Sequence, residues 1–103
     1  FLNLILPNDI KQTSCWKIPI VINKKFNRNI IIKKLLNEGI ETDKAYYPPL
    51  HLQPAVKNLY NFKKGSLPKT EDLISRHICL PSHQSMSIQD AKLVCSLINK
   101  LIK

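Results

Sequence analysis

The sequence predicts an α+β domain, a small mixed or antiparallel sheet covered on one face by at least two long helices. Three observations carry this expectation. The β-branched run "KIPIVI" precedes a stretch with helical apolar spacing, a second short apolar segment "HICLP" follows much later, and the segment from Ser87 to the C-terminus has the clearest helical period in the chain.

Residues 14–22, "SCWKIPIVI", alternate in their first half and are β-branched in their second, which predicts a strand. Pro19 places that strand at an edge or a bulge, because proline cannot donate to a ladder. Asn27 is the expected N-cap of a helix whose Ile31, Ile32, Leu35 and Leu36 share one face, and Gly39 is its expected stop. Ile40 then restarts an extended segment, "IETDKAYY", which Pro48 and Pro49 end.

From His51 to Lys64 the pattern is weak, and "QPAVKNLYNF" allows a turn or two of helix ended by Gly65. In "LPKTEDLIS" Thr70 is the expected N-cap, with Glu71 and Asp72 in the first turn, where the helix dipole favours acids. "HICLP" reads as a short strand. Ser87 and Asp90 then form a capping-box-like start, with aspartate in place of the usual glutamate or glutamine, and Ile88, Ala91, Val94, Ile98 and Leu101 follow at helical spacing. No repeat interrupts this order, which also fits a ferredoxin-like split unit.

At 103 residues, 44% apolar and with two glycines, the chain is expected to be one folded domain, 1–103, and not a disordered tail. Its apolar opening "FLNLILP" stops at Pro7, short of the ~20 residues of a membrane span and without a basic leader. It is expected to be neither a span nor a signal peptide. A first residue of phenylalanine suggests a piece of a longer chain.

The net charge of +9 invites a nucleic-acid reading, yet only Arg28 and Arg76 are arginines and the lysines are scattered over the whole length. They read as a solvated exterior. A free-standing basic module for anionic partners such as nucleic acid stands as the alternative function. Cys15, Cys79 and Cys95 are odd in number and lack a C-x-x-C spacing, so reduced thiols and a cytoplasmic location are expected.

His77, Cys79 and His83 fit no common closed zinc site. Cys79 is expected to be a core thiol, and both histidines surface or capping residues. The chain also has no P-loop, G-x-G-x-x-G or G-x-S-x-G pattern, and local spacing alone does not make Cys79 and the nearby histidines a nucleophile pair. An autonomous enzyme is therefore not expected.

The stretch "YYPPLHLQP", residues 46–54, mounts two tyrosines, a histidine and a glutamine on a stiff, proline-rich backbone. Together with its neighbours, as "GIETDKAYYPPLHLQPAV" and then "GSLPKTEDLISRHICLPSHQSMSIQDAKLVCSLI", it closely resembles the C-terminal small domain of the DegT/DnrJ/EryC1/StrS family of pyridoxal-phosphate-dependent sugar aminotransferases. The matching pieces stand in register: "NEGIET", "YYPPLH" with "QPA", "LPKTE", "ICLP" and "MS" before an acid.

That resemblance implies a fold-type I enzyme, a homodimer, that moves an amino group from an amino acid, commonly glutamate, to a nucleotide-linked keto sugar. The lysine that carries the pyridoxal phosphate and the acid that holds its ring nitrogen would lie in a large N-terminal domain outside this chain. None of the fourteen lysines here stands in a context that suits that role. On its own the chain is expected to be inactive.

The resemblance further implies that Tyr46, Tyr47, His51 and Gln53 line or adjoin the sugar-nucleotide site. Tyrosine supplies a flat face and a hydroxyl, and histidine and glutamine can donate to phosphate or sugar oxygens. Glu71 and Arg76 also match family positions, read as a helix-start residue and a domain-packing residue. Departures from the family occur at Ala45, where many members have a polar residue, at Val56, where many have an aromatic one, and at Gln84–Ser85, where a proline is frequent. Drift after loss of activity or an unusual substrate would each produce them.

Overall fold

In the computed structural model, which describes residues 3, 4 and 8–103, three antiparallel strands form one sheet in the order β1 (Asn3–Leu4), β2 (Ile18–Val21), β3 (His77–Leu80). Most of the apolar opening Phe1–Pro7 lies outside the described residues. Helices α1 (Arg28–Asn37), α2 (Pro54–Tyr60) and α3 (Pro68–Arg76) lie between β2 and β3, and α4 (Ile88–Leu101) follows β3, which makes the molecule α+β as expected. Among the described residues no helix is long and apolar enough to cross a membrane.

β2 is shorter than the predicted 14–22 strand, and it is central where Pro19 suggested an edge or bulge. The register explains why proline is tolerated there. Pro19 stands opposite Cys79, whose N–H and C=O both turn outward to Asp43, at 2.8 and 3.1 Å, so the ladder between β2 and β3 asks no donor of Pro19.

Alternation sends Ile18, Ile20, Ile78 and Leu80 to one face and Pro19, Val21, His77 and Cys79 to the other. Ile20, Ile22 and Ile78 pack with Ile31 and Leu35 of α1 and Val94 and Ile98 of α4 into the core. Val21, His77 and Cys79 are buried as well, so the second face of β3 is covered too, although the sequence suggested cover on one face only.

Local chemistry explains the helix ends. The Asn27 side chain accepts from the Asn29 and Ile30 N–H groups, and Gly39, at φ +76°, ends α1 with Gly39 N–H donating to Leu36 O and Ile40 N–H to Leu35 O. Ile40 is thereby folded back onto the core. Of the four apolar residues expected on the core face of α1, Ile31 and Leu35 are buried and Ile32 packs at the margin. Leu36 is 56% exposed. At α4 the full capping box forms, Ser87 Oγ accepting from Asp90 N–H and Asp90 Oδ2 from Ser87 N–H.

Two boundaries differ from expectation. α2 ends at Asn61, in the left-handed conformation that asparagine tolerates, four residues before Gly65. α3 starts with Pro68 behind Leu67, and Thr70 lies inside it: a proline at the first helical position needs no donor partner, which moves the start ahead of the threonine. The expected strand over 40–47 reduces to one bridge, Asp43 with Cys79. Tyr46, at φ +63°, and the Tyr47 N–H bond to Lys44 O turn the chain there instead of extending it.

Candidate functional site

The segment Tyr46–Gln53 leaves that turn through Pro48 and Pro49 and makes a 3-10 turn at Leu50–Leu52, closed by Leu52 N–H to Pro49 O and Gln53 N–H to Leu50 O. Two prolines fix their own φ values and so limit the conformations of the unfolded segment. Its two tyrosines face outward: Tyr46 is 68% exposed and Tyr47 53%. The Tyr47 ring rests against the Arg28 guanidinium, whose Cζ stands 4.7 Å from the ring centroid.

His51 turns the other way. It is buried, its Nε2 is 3.1 Å from Glu71 Oε1, and its ring meets Phe62 edge to face at 5.7 Å. A carboxylate only accepts, so Nε2 carries the proton of this bond. Gln53 folds back on the segment, Nε2 donating to Pro48 O at 3.3 Å. Of the four residues singled out in the sequence, the structure therefore presents Tyr46 and Tyr47 to solvent and uses the His51 and Gln53 side chains within the chain.

Glu71, in the first turn of α3, is the anchor of this arrangement. Its two carboxylate oxygens accept from Gly65 N–H at 2.8 and 2.9 Å, and Oε1 also from Leu67 N–H at 3.2 Å. These N–H groups, Gly65 first, and the His51 bond hold the carboxyl below the usual carboxylate range. The sequence hinted at this residue through "TE" at a helix start, but showed nothing of the partnership with His51. Arg76 is likewise engaged within the chain, Nη2 to Asp72 Oδ2 at 2.6 Å and Nη1 to Ile22 O at 2.8 Å, which ties α3 to the end of β2.

The His77, Cys79, His83 cluster does not assemble. His77 is buried and not at the surface, but it does cap: it is the C-cap residue of α3, with its N–H donating to Leu73 O and Nδ1 2.9 Å from Ile74 O. Burial pushes the Cys79 thiol up, and His83 is exposed. Among the described residues, no group of three or more His, Cys, Asp or Glu is placed to hold a metal ion. The larger grooves, of about 380 and 420 Å³, flank α4 and are not lined by Tyr46, Tyr47, His51 or Gln53.

The lysines do not suit a carbonyl cofactor such as pyridoxal phosphate, which needs a neutral amine in a sheltered site. All are exposed except Lys17, and its hydrogen bond to Asp43, 2.6 Å long, raises its pKa and holds it as an ammonium.

Comparison with known proteins places the chain. Residues 2–99 match the family model described as the DegT/DnrJ/EryC1/StrS aminotransferase family. The chain is 32% identical over 104 aligned residues to an uncharacterised protein of Methanocaldococcus jannaschii, covering 96% of this chain and 27% of that protein. It superposes on the aminotransferase TlmJ of Streptoalloteichus hindustanus with a TM-score of 0.75 at 26% identity, covering 96% of this chain and 25% of TlmJ. A DegT DnrJ EryC1 StrS aminotransferase from Brucella abortus gives 0.70 at 34% identity, covering 84% of this chain and 22% of that one. The chain thus spans about a quarter of the length of these relatives.

Proposed function

The chain belongs to the DegT/DnrJ/EryC1/StrS aminotransferase family, and from that premise we propose that it is the C-terminal small domain of a pyridoxal-phosphate-dependent sugar aminotransferase. The whole enzyme moves an amino group from an amino acid, commonly glutamate, to a nucleotide-linked keto sugar, in the synthesis of cell-surface polysaccharide or a related product. It works as a cytoplasmic homodimer. The cofactor supplies an electron sink for the amino-group transfer and is held by a large N-terminal domain, since no lysine here suits it. The small domain alone is inactive.

One observation carries this reading: an outward tyrosine pair on a backbone stiffened by Pro48 and Pro49 and anchored from behind by His51 and Glu71. Within the proposed site Tyr46 and Tyr47 face the nucleotide sugar, while His51 and Gln53 adjoin it and hold the segment's shape. Such preorganisation lowers the entropy lost when a ligand is fixed. Tyr46, Tyr47, Leu50, Leu59 and Tyr60 are all more than half exposed within this short stretch, as suits a surface that faces the large domain and the cleft.

The test is to join the chain to its large domain and measure sugar-substrate kinetics for His51→Ala and Tyr47→Phe. Each is expected to raise KM for the nucleotide sugar, by roughly tenfold where one good hydrogen bond or its support is lost. Unchanged kinetics in both would reduce the segment to a rigid turn.

A further inference from the structure

We propose that Arg28 is a positioning residue for Tyr47 and, through that ring, for the nucleotide-linked sugar; this rests on the substrate-facing role proposed above for Tyr47. Arg28 is the first residue of α1, where a cation opposes the helix dipole and no acid of the first turn offsets it. Its side chain leaves that position. Nη1 donates to Ile74 O at 2.8 Å and to His77 O at 3.3 Å, carbonyls at the C-terminal end of α3, where the dipole favours a cation. Arg28 therefore joins the start of α1 to the end of α3, and the two bonds, both from Nη1, anchor that end of its guanidinium.

The anchored guanidinium lies over the Tyr47 ring, 4.7 Å from Cζ to the centroid. Its backbone is held locally by the turn through Lys44, and that hydrogen bond leaves the side-chain rotation free. The stack supplies what the backbone does not: it selects one ring orientation out of the rotamers open to an exposed tyrosine. One ring face meets Arg28, and Tyr47 keeps 53% of its surface open to a ligand. Because the orienting group is bonded to α3 and not to the segment itself, the ring's position relative to the rest of the domain is set before any ligand arrives. Lysine would keep the charge and can donate to both carbonyls, since a single nitrogen, Nη1, makes both bonds here, but it has no flat guanidinium face to orient the ring.

The experiment is a double-mutant cycle in the intact aminotransferase, large domain present, with Arg28→Lys, Tyr47→Leu and both together. Each single change is expected to raise KM for the nucleotide sugar about tenfold with kcat changed less than about twofold, and the double change to be no worse than the worse single one. KM for the amino donor should not move, a separation that general damage to the fold would not produce. If Arg28→Lys destabilises the protein, Arg28→Gln provides the second variant, and thermal melts identify which variants are folded.

Multiplied effects, near a hundredfold in the double variant, would overturn the coupling. So would an unchanged KM in Arg28→Lys beside a raised one in Tyr47→Leu. An unchanged KM in Tyr47→Leu would overturn the substrate-facing role of Tyr47, and this inference with it.

Discussion

His51 Nε2 lies 3.1 Å from Glu71 Oε1, and through this contact the proline-rich segment is bound to the loop and first turn that open α3. The same carboxylate also takes the Gly65 and Leu67 N–H groups, so one side chain closes two pieces of irregular backbone. Glu71→Ala leaves those groups and His51 without their acceptor. A fall in Tm of roughly 5–10 °C is expected, measured by circular dichroism, as for the loss of several charge-assisted hydrogen bonds in a domain of this size. An unchanged Tm would show that the carboxylate does not organise the segment.

The same residue predicts a pH dependence. Its carboxyl is held below the ordinary range in the folded protein, so as pH falls the unfolded chain takes up the proton first. The stabilisation is complete above the unfolded carboxylate value, about 4.3, and is lost as pH falls toward the folded one. Asp72 and Asp90 are depressed as well and share this acid limb. Stability measured between about pH 6 and 3 should fall less steeply for Glu71→Gln than for the parent protein. Parallel curves would rule out the linkage.

Leu35 and Leu36 are neighbours that the helical pattern of the sequence puts on one face, yet Leu35 is fully buried and Leu36 is 56% exposed. Leu35→Ala should cost about 2–5 kcal/mol, since it removes a core side chain and leaves a cavity. Leu36→Ala should change stability by no more than about 0.5 kcal/mol. Urea unfolding of the two variants checks the contrast, and similar losses in both would contradict this packing.

The thiols should differ in reactivity. Cys95 is exposed on α4, whereas Cys79 is buried in β3 with its thiol pKa pushed up by desolvation. Brief treatment of the native protein with a maleimide, read by mass spectrometry, should label Cys95 and spare Cys79 until the protein is unfolded. Equal labelling of both would contradict the burial of β3.

Much of the fold was legible because its signals are local. The Asn27 cap, the Gly39 stop and the Ser87 with Asp90 box each complete their bonds within a few residues, and the structure has all three. Where a local signal has a competitor, the chain follows the competitor. Thr70 was a sound cap candidate, but Pro68 two residues earlier already supplied a helix start, and the 40–47 segment bent at Tyr46 instead of running on as a strand.

By itself the sequence determined the helices and the two strands β2 and β3 to within their ends, though not the course of 40–47, and it carried the ordered motifs of the DegT/DnrJ/EryC1/StrS family across almost the whole chain. Only the tertiary structure decided how the "YYPPLHLQP" side chains are oriented, with the tyrosines outward and His51 inward. The reason is distance along the chain. His51 finds Glu71 20 positions away, Arg28 reaches Ile74 across 46, and Pro19 is tolerated because Cys79 directs its polar groups to Asp43. Contacts at such separations are set by how the elements pack, which no local pattern encodes.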